Sequence, residues 1–165
     1  MKSFFTCLFL LLCTLTLSAC AGIGTSPKGL EVPIEKAAIK LNADTRDGGY
    51  KLVGTEELKN WLGEKKTLII IDTMPQPDFA KGHIPGAVNG VMPKAEKELT
   101  PADIEAFLQI AGPDKEQAIV VYCGFVSCRR SHLGAKVLVE NGYTNVLRYP
   151  AGIIGWKESG ASVAK

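Results

Sequence analysis

Cys123 and Cys128 share one short segment, Val121-Tyr122-Cys123-Gly124-Phe125-Val126-Ser127-Cys128-Arg129-Arg130-Ser131. An apolar stretch runs into it and a helical pattern runs out of it. A cysteine at the end of a buried strand, with the following backbone curling towards a helix, gathers amide N–H groups around its sulfur. Those dipoles, the helix N-terminus and Arg129 or Arg130 all favour thiolate over thiol. The same donors, from Gly124, Phe125, Val126, Ser127 and Cys128 on to Arg129 and Arg130, would hold a small oxyanion above the sulfur. A nucleophile beneath an anion cradle is the chemistry expected, with Cys123 as nucleophile and Arg129 supplying positive charge, backed by Arg130. The competing reading is a buried structural cysteine before an incidental basic pair. Two arginines directly after an apolar strand speak against it.

The rest of the chain must deliver and position that segment. Lys2 is followed by an almost uninterrupted apolar run from Phe4 to Leu17, and Leu17-Ser18-Ala19-Cys20 closes it with small residues. The run is short for a membrane span and no charged stop-transfer flank follows. The closing residues resemble a bacterial lipobox, which implies a signal peptide over 1–19, lipid on Cys20, and a periplasm-facing chain anchored to a membrane. Ala21, rather than an aspartate, favours the outer membrane over the inner one. Cys7 and Cys13 would leave with the signal and Cys20 would carry lipid, so Cys123 and Cys128 would be the remaining thiols. In an oxidising compartment two such cysteines invite a disulfide. That bridge would close too small a ring to staple a fold, so its use would be catalytic or regulatory. The formal charge of +2 includes Lys2, and no basic run interleaved with aromatics points to nucleic acid.

Residues 20–49 have low hydrophobicity and Gly, Ser, Pro and Asp-Gly-Gly punctuation, which reads as a lipidated N-terminus and tether with one short ordered piece at Ile34 to Leu41. The domain is expected over 50–165. Thr55 precedes two glutamates and Leu58, as an N-cap does, and that helix should end at Gly63. Leu68 to Asp72 is a continuous apolar run, the pattern of a strand buried on both faces. A short helix is expected at Asp78 to Lys81, followed by a turn through Gly82–Ala87 and a brief strand near Val88. Thr100-Pro101-Ala102-Asp103 opens a helix that should stop at Gly112-Pro113. Ala118 to Tyr122 is a second buried strand. After the cysteine segment, Leu133, Gly134, Val137 and Leu138 form one apolar helix face, with Arg129, His132, Lys136 and Glu140 opposite. Asn141-Gly142 ends that helix and Val146 to Tyr149 reads as a third strand. Strands alternating with helices predict a parallel α/β sheet covered on both faces.

The order Asp72, then Gly82-His83-Ile84-Pro85-Gly86-Ala87, then Val120-Val121-Tyr122-Cys123 with its basic loop, then Asn141-Gly142-Tyr143-Thr144-Asn145-Val146, then Gly152 and Trp156, resembles a single-domain rhodanese from about Tyr50 to Val163. The resemblance implies a small α/β domain with a five-stranded parallel sheet. It also implies a sulfurtransferase whose cysteine accepts sulfane sulfur as a persulfide, from a small anion such as thiosulfate or polysulfide, and passes it to a thiol or a cyanide-like acceptor. One departure stands out. The commonest loop of the family has four residues between cysteine and arginine, whereas five separate Cys123 from Arg129 here. A longer loop is similar to that of the phosphatases and arsenate reductases sharing the fold, where a wider cradle suits tetrahedral anions. A cysteine-dependent phosphatase or arsenate reductase is therefore the first alternative, although no general acid is evident inside the loop. A non-catalytic module that binds an anion or a partner is the second.

Cys128 fits two roles. It could attack a persulfide or sulfenate on Cys123 as a resolving thiol, releasing reduced sulfur and leaving a disulfide that a thiol reductant protein would reopen. It could equally be a small loop residue that never reacts. By the resemblance, Asp72 orders the surroundings of the site and His83 organises a turn. His132 either tunes charge near the mouth or is solvated, and Trp156 belongs to the core. No cofactor or metal site is indicated by two histidines so unlike a ligand set.

Overall fold

The computed structural model describes residues 30–165. The signal peptide expected over 1–19 and the lipidated Cys20 lie outside the described residues. Among the described residues the first element is α1, Glu31–Gly48, well beyond the short piece expected at 34–41. Pro33 sits in the first turn, where a missing amide costs little, and no further proline or glycine interrupts the run before Gly48. The helix ends at Gly49, whose φ of 65° suits a left-handed terminator. The compact unit holding every strand runs from Ala37 to Lys165, so residues 37–49, expected in the tether, pack with the domain. Only Asp44 and Gly48 of α1 are buried, which is why hydrophobic periodicity did not announce it.

Five strands follow: β1 Lys51–Leu52, β2 Ile69–Asp72, β3 Ala87–Asn89, β4 Ile119–Tyr122 and β5 Val146–Tyr149. They form one sheet in the order β1-β5-β4-β2-β3 with every pairing parallel, the architecture expected from the sequence. Between them lie α2 Thr55–Gly63, α3 Gln76–Lys81, α4 Pro101–Ala111 and α5 Arg129–Glu140, and α6 Gly152–Glu158 follows β5.

Side chains alternate across the sheet with the period of two that strand geometry imposes. Ile71, Ile119, Val121 and Val146 face one core, shared with Phe107 and Ala111 of α4 and Ala135 and Leu138 of α5. Ile70, Val120, Tyr122, Leu147 and Tyr149 face the other, shared with Leu58 of α2 and Ile153 and Trp156 of α6. The continuous apolar runs of β2 and β4 are what such two-sided burial requires.

The capping box expected at the start of α4 is present, with Thr100 Oγ1 accepting from the Asp103 amide and the Asp103 carboxylate from the Thr100 amide. At α2 the cap is Gly54 rather than Thr55. The Thr55 hydroxyl is engaged elsewhere, 2.9 Å from the Tyr149 hydroxyl. Phe107 is the large side chain that ties α4 to its neighbours. A methyl group on Gly90 or Gly134 would come within 2.8 Å of its ring, so both glycines make room for it. Phe107→Ala is expected to lower unfolding free energy by roughly 3–5 kcal/mol, read by urea denaturation with the native circular dichroism retained in water.

Candidate functional site

Parallel sheets place their ligands beyond the C-terminal strand ends, at the point where connections leave for opposite faces. Here that point lies between β2 and β4. The neighbours are paired through Asp72 and Tyr122, yet α3 after β2 packs through Phe79 on one core and α5 after β4 packs on the other. Cys123 is the first residue beyond β4 and Asp72 is the last of β2, so the topology brings the two together.

The loop 123–128 is held at both ends by groups outside it. The Cys123 and Gly124 carbonyls accept from the Ile153 and Ile154 amides at 2.9 and 3.1 Å. Gly152 permits this approach. Its φ is 63°, and a Cβ there would lie 2.4 Å from the Cys123 carbonyl oxygen. At the other end Arg148 of β5, fully buried, donates to the Val126 carbonyl at 3.0 Å and the Cys128 carbonyl at 2.9 Å. A trans peptide points its N–H opposite to its C=O, so the amides of Ser127 and Arg129 are aimed away from Arg148, towards the mouth. Cys128 is the N-cap of α5 and no side chain caps that helix, leaving its first-turn amides facing the site.

Cys123 and Cys128 are joined by a disulfide in this state. Cys123 is 1 % exposed, and its Sγ lies 3.6 Å from Met74 Sδ. The Asp72 carboxylate accepts the Met74 amide at 2.8 Å, so the buried acid shapes the turn that carries the sulfur's neighbour. Burial pushes its carboxyl above the ordinary range, partly offset by the bonds from Met74 and Tyr122. His83 stacks on Phe79 at 3.8 Å, its Nδ1 lies 3.1 Å from the Phe79 carbonyl oxygen, and its backbone bridges Ala164. These partners belong to the turn and the C-terminal segment.

A cavity of about 490 Å³ opens beside the loop, lined among others by Met74, Lys94, Phe125, Cys128, Arg129 and Arg130. Three of these are cationic, against one lining carboxylate, Asp78, which Lys81 holds below the usual carboxylate range. Both candidate arginines reach the cavity wall, but each is also tethered. The Arg130 guanidinium donates to the Met92 carbonyl, and that of Arg129 lies 3.8 Å from Asp44. A larger, more open groove of about 680 Å³ runs along α4 past Ile104, Leu108 and Tyr143. It contains no cysteine, histidine or arginine. Among the described residues no group of three His, Cys, Asp or Glu side chains is placed to hold a metal ion.

Sequence reasoning placed His132 on the polar face of its helix. It is instead 1 % exposed, with Nδ1 3.0 Å from the Tyr50 hydroxyl and Nε2 3.3 Å from Asp47. The correction comes from α1, which covers that face of α5. Burial lowers the His132 pKa, opposed by Asp44. The residues that sequence reasoning missed are Arg148, Asp44 and Tyr50. Arg148 also donates from Nε to Ser131 Oγ at 3.0 Å, and from one terminal nitrogen to the Tyr50 hydroxyl at 3.2 Å and Asp44 at 3.4 Å. Burial alone would raise the Asp44 carboxyl, but Lys40, His132 and Arg148 together hold it below its ordinary value. The signal available in advance was a lone arginine inside an otherwise apolar buried strand, which demands a counter-charge from elsewhere.

The chain belongs to the rhodanese-like domain family, whose model matches residues 54–159. Rhodanese-like domain-containing protein 14, chloroplastic, of Arabidopsis thaliana is 30% identical over 134 residues, which span 62% of this chain and 60% of that protein. A sulfurtransferase of Allochromatium vinosum is 26% identical over 111 residues, 67% of this chain and 92% of its own length. Among solved structures, a thiosulfate sulfurtransferase from Pseudomonas aeruginosa superposes with a TM-score of 0.61 at 19% identity, over 78% of this chain and 22% of that one. At that identity the likeness is one of fold. The chain thus spans less than two thirds of the Arabidopsis relative and less than a quarter of the Pseudomonas protein.

Two outcomes follow from the site's supports. Arg148→Met leaves two loop carbonyls without their donor and takes one cation from Asp44, which keeps Lys40 and Arg129, and is expected to cost roughly 3–5 kcal/mol of stability. A loss below about 1 kcal/mol in urea denaturation, the level of an exposed pair, would remove Arg148 from this role. His132 titrates lower in the folded chain than its unfolded value of 6.5. Above that pH both states are neutral and its contribution to stability is intact. As pH falls below it, the unfolded chain takes up a proton that the folded chain resists, so stability declines. The thermal midpoint should therefore drop between about pH 7.5 and pH 5.5, and drop less in His132→Gln, the unfolded imidazole titrating near 6.5.

Proposed function

We propose that the chain is a periplasm-facing sulfurtransferase, anchored through lipid on Cys20 to the outer membrane. Reduced Cys123 carries sulfane sulfur as a persulfide. Its thiolate attacks the outer sulfur of a donor such as thiosulfate, the donor's S–S bond breaks, and sulfite leaves with the electron pair. The persulfide then passes its outer sulfur to a thiophilic acceptor, a thiol or a cyanide-like nucleophile. The observation that carries this reading is the position of Cys123: at the C-terminal end of β4, against the uncapped N-terminus of α5 and next to a cavity walled by Lys94, Arg129 and Arg130. Developing and transferred negative charge would be met there by fixed amide dipoles and cations. The names of the sulfurtransferase relatives add support. Phosphate or arsenate chemistry is the weaker reading, because Asp78, the one carboxylate lining the cavity, is held ionised by Lys81 and has no proton for a leaving group.

The test is thiosulfate-dependent sulfur transfer by the reduced chain, with Cys123→Ser alongside. Activity should be lost entirely in the variant, while its unfolding midpoint stays close to that of the parent measured in reductant. Retained turnover in Cys123→Ser would end the mechanism.

A further inference from the structure

We infer a further activity at this site: the Cys123–Cys128 pair discharges the carried sulfur as hydrosulfide, making the chain a dithiol-dependent sulfane-sulfur reductase. The inference rests on the sulfurtransferase reading and deepens it.

Three observations carry it. The two sulfurs are bonded with their Cα atoms 6.3 Å apart, within the spacing that a disulfide spans without backbone movement. That proximity does not depend on the bond alone. Ile153 and Ile154 pin the Cys123 and Gly124 carbonyls, Arg148 pins those of Val126 and Cys128, and the Cys128 amide donates to the Phe125 carbonyl at 3.0 Å. None of these contacts involves a sulfur, so the reduced loop keeps Cys128 within reach of Cys123. Finally, Cys128 is the N-cap of α5 and directly precedes Arg129. It also lines the open cavity, while Cys123 is enclosed, so an external dithiol meets Cys128 first.

In the persulfide, Cys123 Sγ bears the outer sulfur. The Cys128 sulfur attacks Cys123 Sγ, the new S–S bond forms as the bond to the outer sulfur breaks, and that sulfur leaves with the electron pair and the Cys128 proton as hydrosulfide. The sulfane sulfur is reduced and two protein thiols are oxidised, with no other oxidant. The product is the disulfide seen in this structure. An external dithiol then attacks the Cys128 sulfur, passes through a mixed disulfide, and leaves with its own disulfide formed and both protein thiols restored.

The test uses the full chain with Cys7, Cys13 and Cys20 each replaced by serine, reduced and freed of reductant, then given thiosulfate. Sulfite release reports sulfur acceptance, and sulfide release reports discharge. The expected result is one sulfide for each sulfite, loss of both free thiols, no sulfur retained in the intact mass, and a rate independent of protein concentration. Cys128→Ser and Cys128→Ala, in the same background, should release sulfite but hold the sulfur until dithiothreitol is added. A parent chain that accepts sulfur and keeps it with Cys128 free would overturn this inference and leave the transferase reading standing. So would a serine variant that discharges sulfide as fast as the parent. If the parent takes up no sulfur from thiosulfate or from inorganic polysulfide, both readings fall.

Discussion

A guanidinium sits fully buried in β5, and much of the site depends on how it is accommodated. Arg148 has five N–H donors in a fixed fork. Its recorded acceptors are the Val126 and Cys128 carbonyls, Ser131 Oγ, the Tyr50 hydroxyl and the Asp44 carboxylate. A buried cation left without these partners would cost several kcal/mol. Satisfying it brings four segments into register: the cysteine loop, the first turn of α5, the C-terminal half of α1, and Tyr50 just ahead of β1. The loop's conformation is in this sense the outer surface of an internal ion pair.

Fixing the loop from beneath has a chemical consequence. With the Val126 and Cys128 carbonyls turned down to Arg148, the Ser127 and Arg129 amides turn the other way, the Cys128 amide bonds back to Phe125, and no side chain caps the N-terminus of α5. Gly152 secures the opposite end, because only a residue without Cβ lets α6 close on the Cys123 and Gly124 carbonyls. Cys123 is therefore gripped at its own carbonyl, enclosed beside Met74, and bonded to Cys128, which lines the cationic cavity. The same fixity that turns loop amides away from Arg148 also holds Cys128 against Cys123.

Much of the frame was legible in sequence. The apolar runs at Leu68–Asp72 and Ala118–Tyr122, the Thr100/Asp103 box and the Asn141-Gly142 stop each fix local structure by contacts within a few residues, and each appears where expected. The Cys123 loop was legible for the same reason, as a strand, a cysteine and a helix start in succession. The extent of α1 was not, since a helix with only Asp44 and Gly48 buried lacks an apolar stripe to read. His132 was read either as tuning charge near the mouth or as solvated, because its helix face looks polar. That face is covered by α1, whose Asp47 and Tyr50's hydroxyl supply polar partners rather than apolar ones.

The sequence by itself determined the class of fold and the placing of two cysteines in one strand-to-helix loop, because both are written in residue types at short range. Tertiary structure alone decided what holds the loop and where the arginines go. Arg148 and Asp44 are separated by 104 positions and meet only because β5 lies beside β4 in the sheet and α1 folds back over α5. Arg129, the cation nearest the cysteines in sequence, is shared with Asp44, while a distant arginine in an apolar strand organises the site. Charge placement in a packed interior follows from which groups are buried together, and that is a property of the assembled chain rather than of any segment of it.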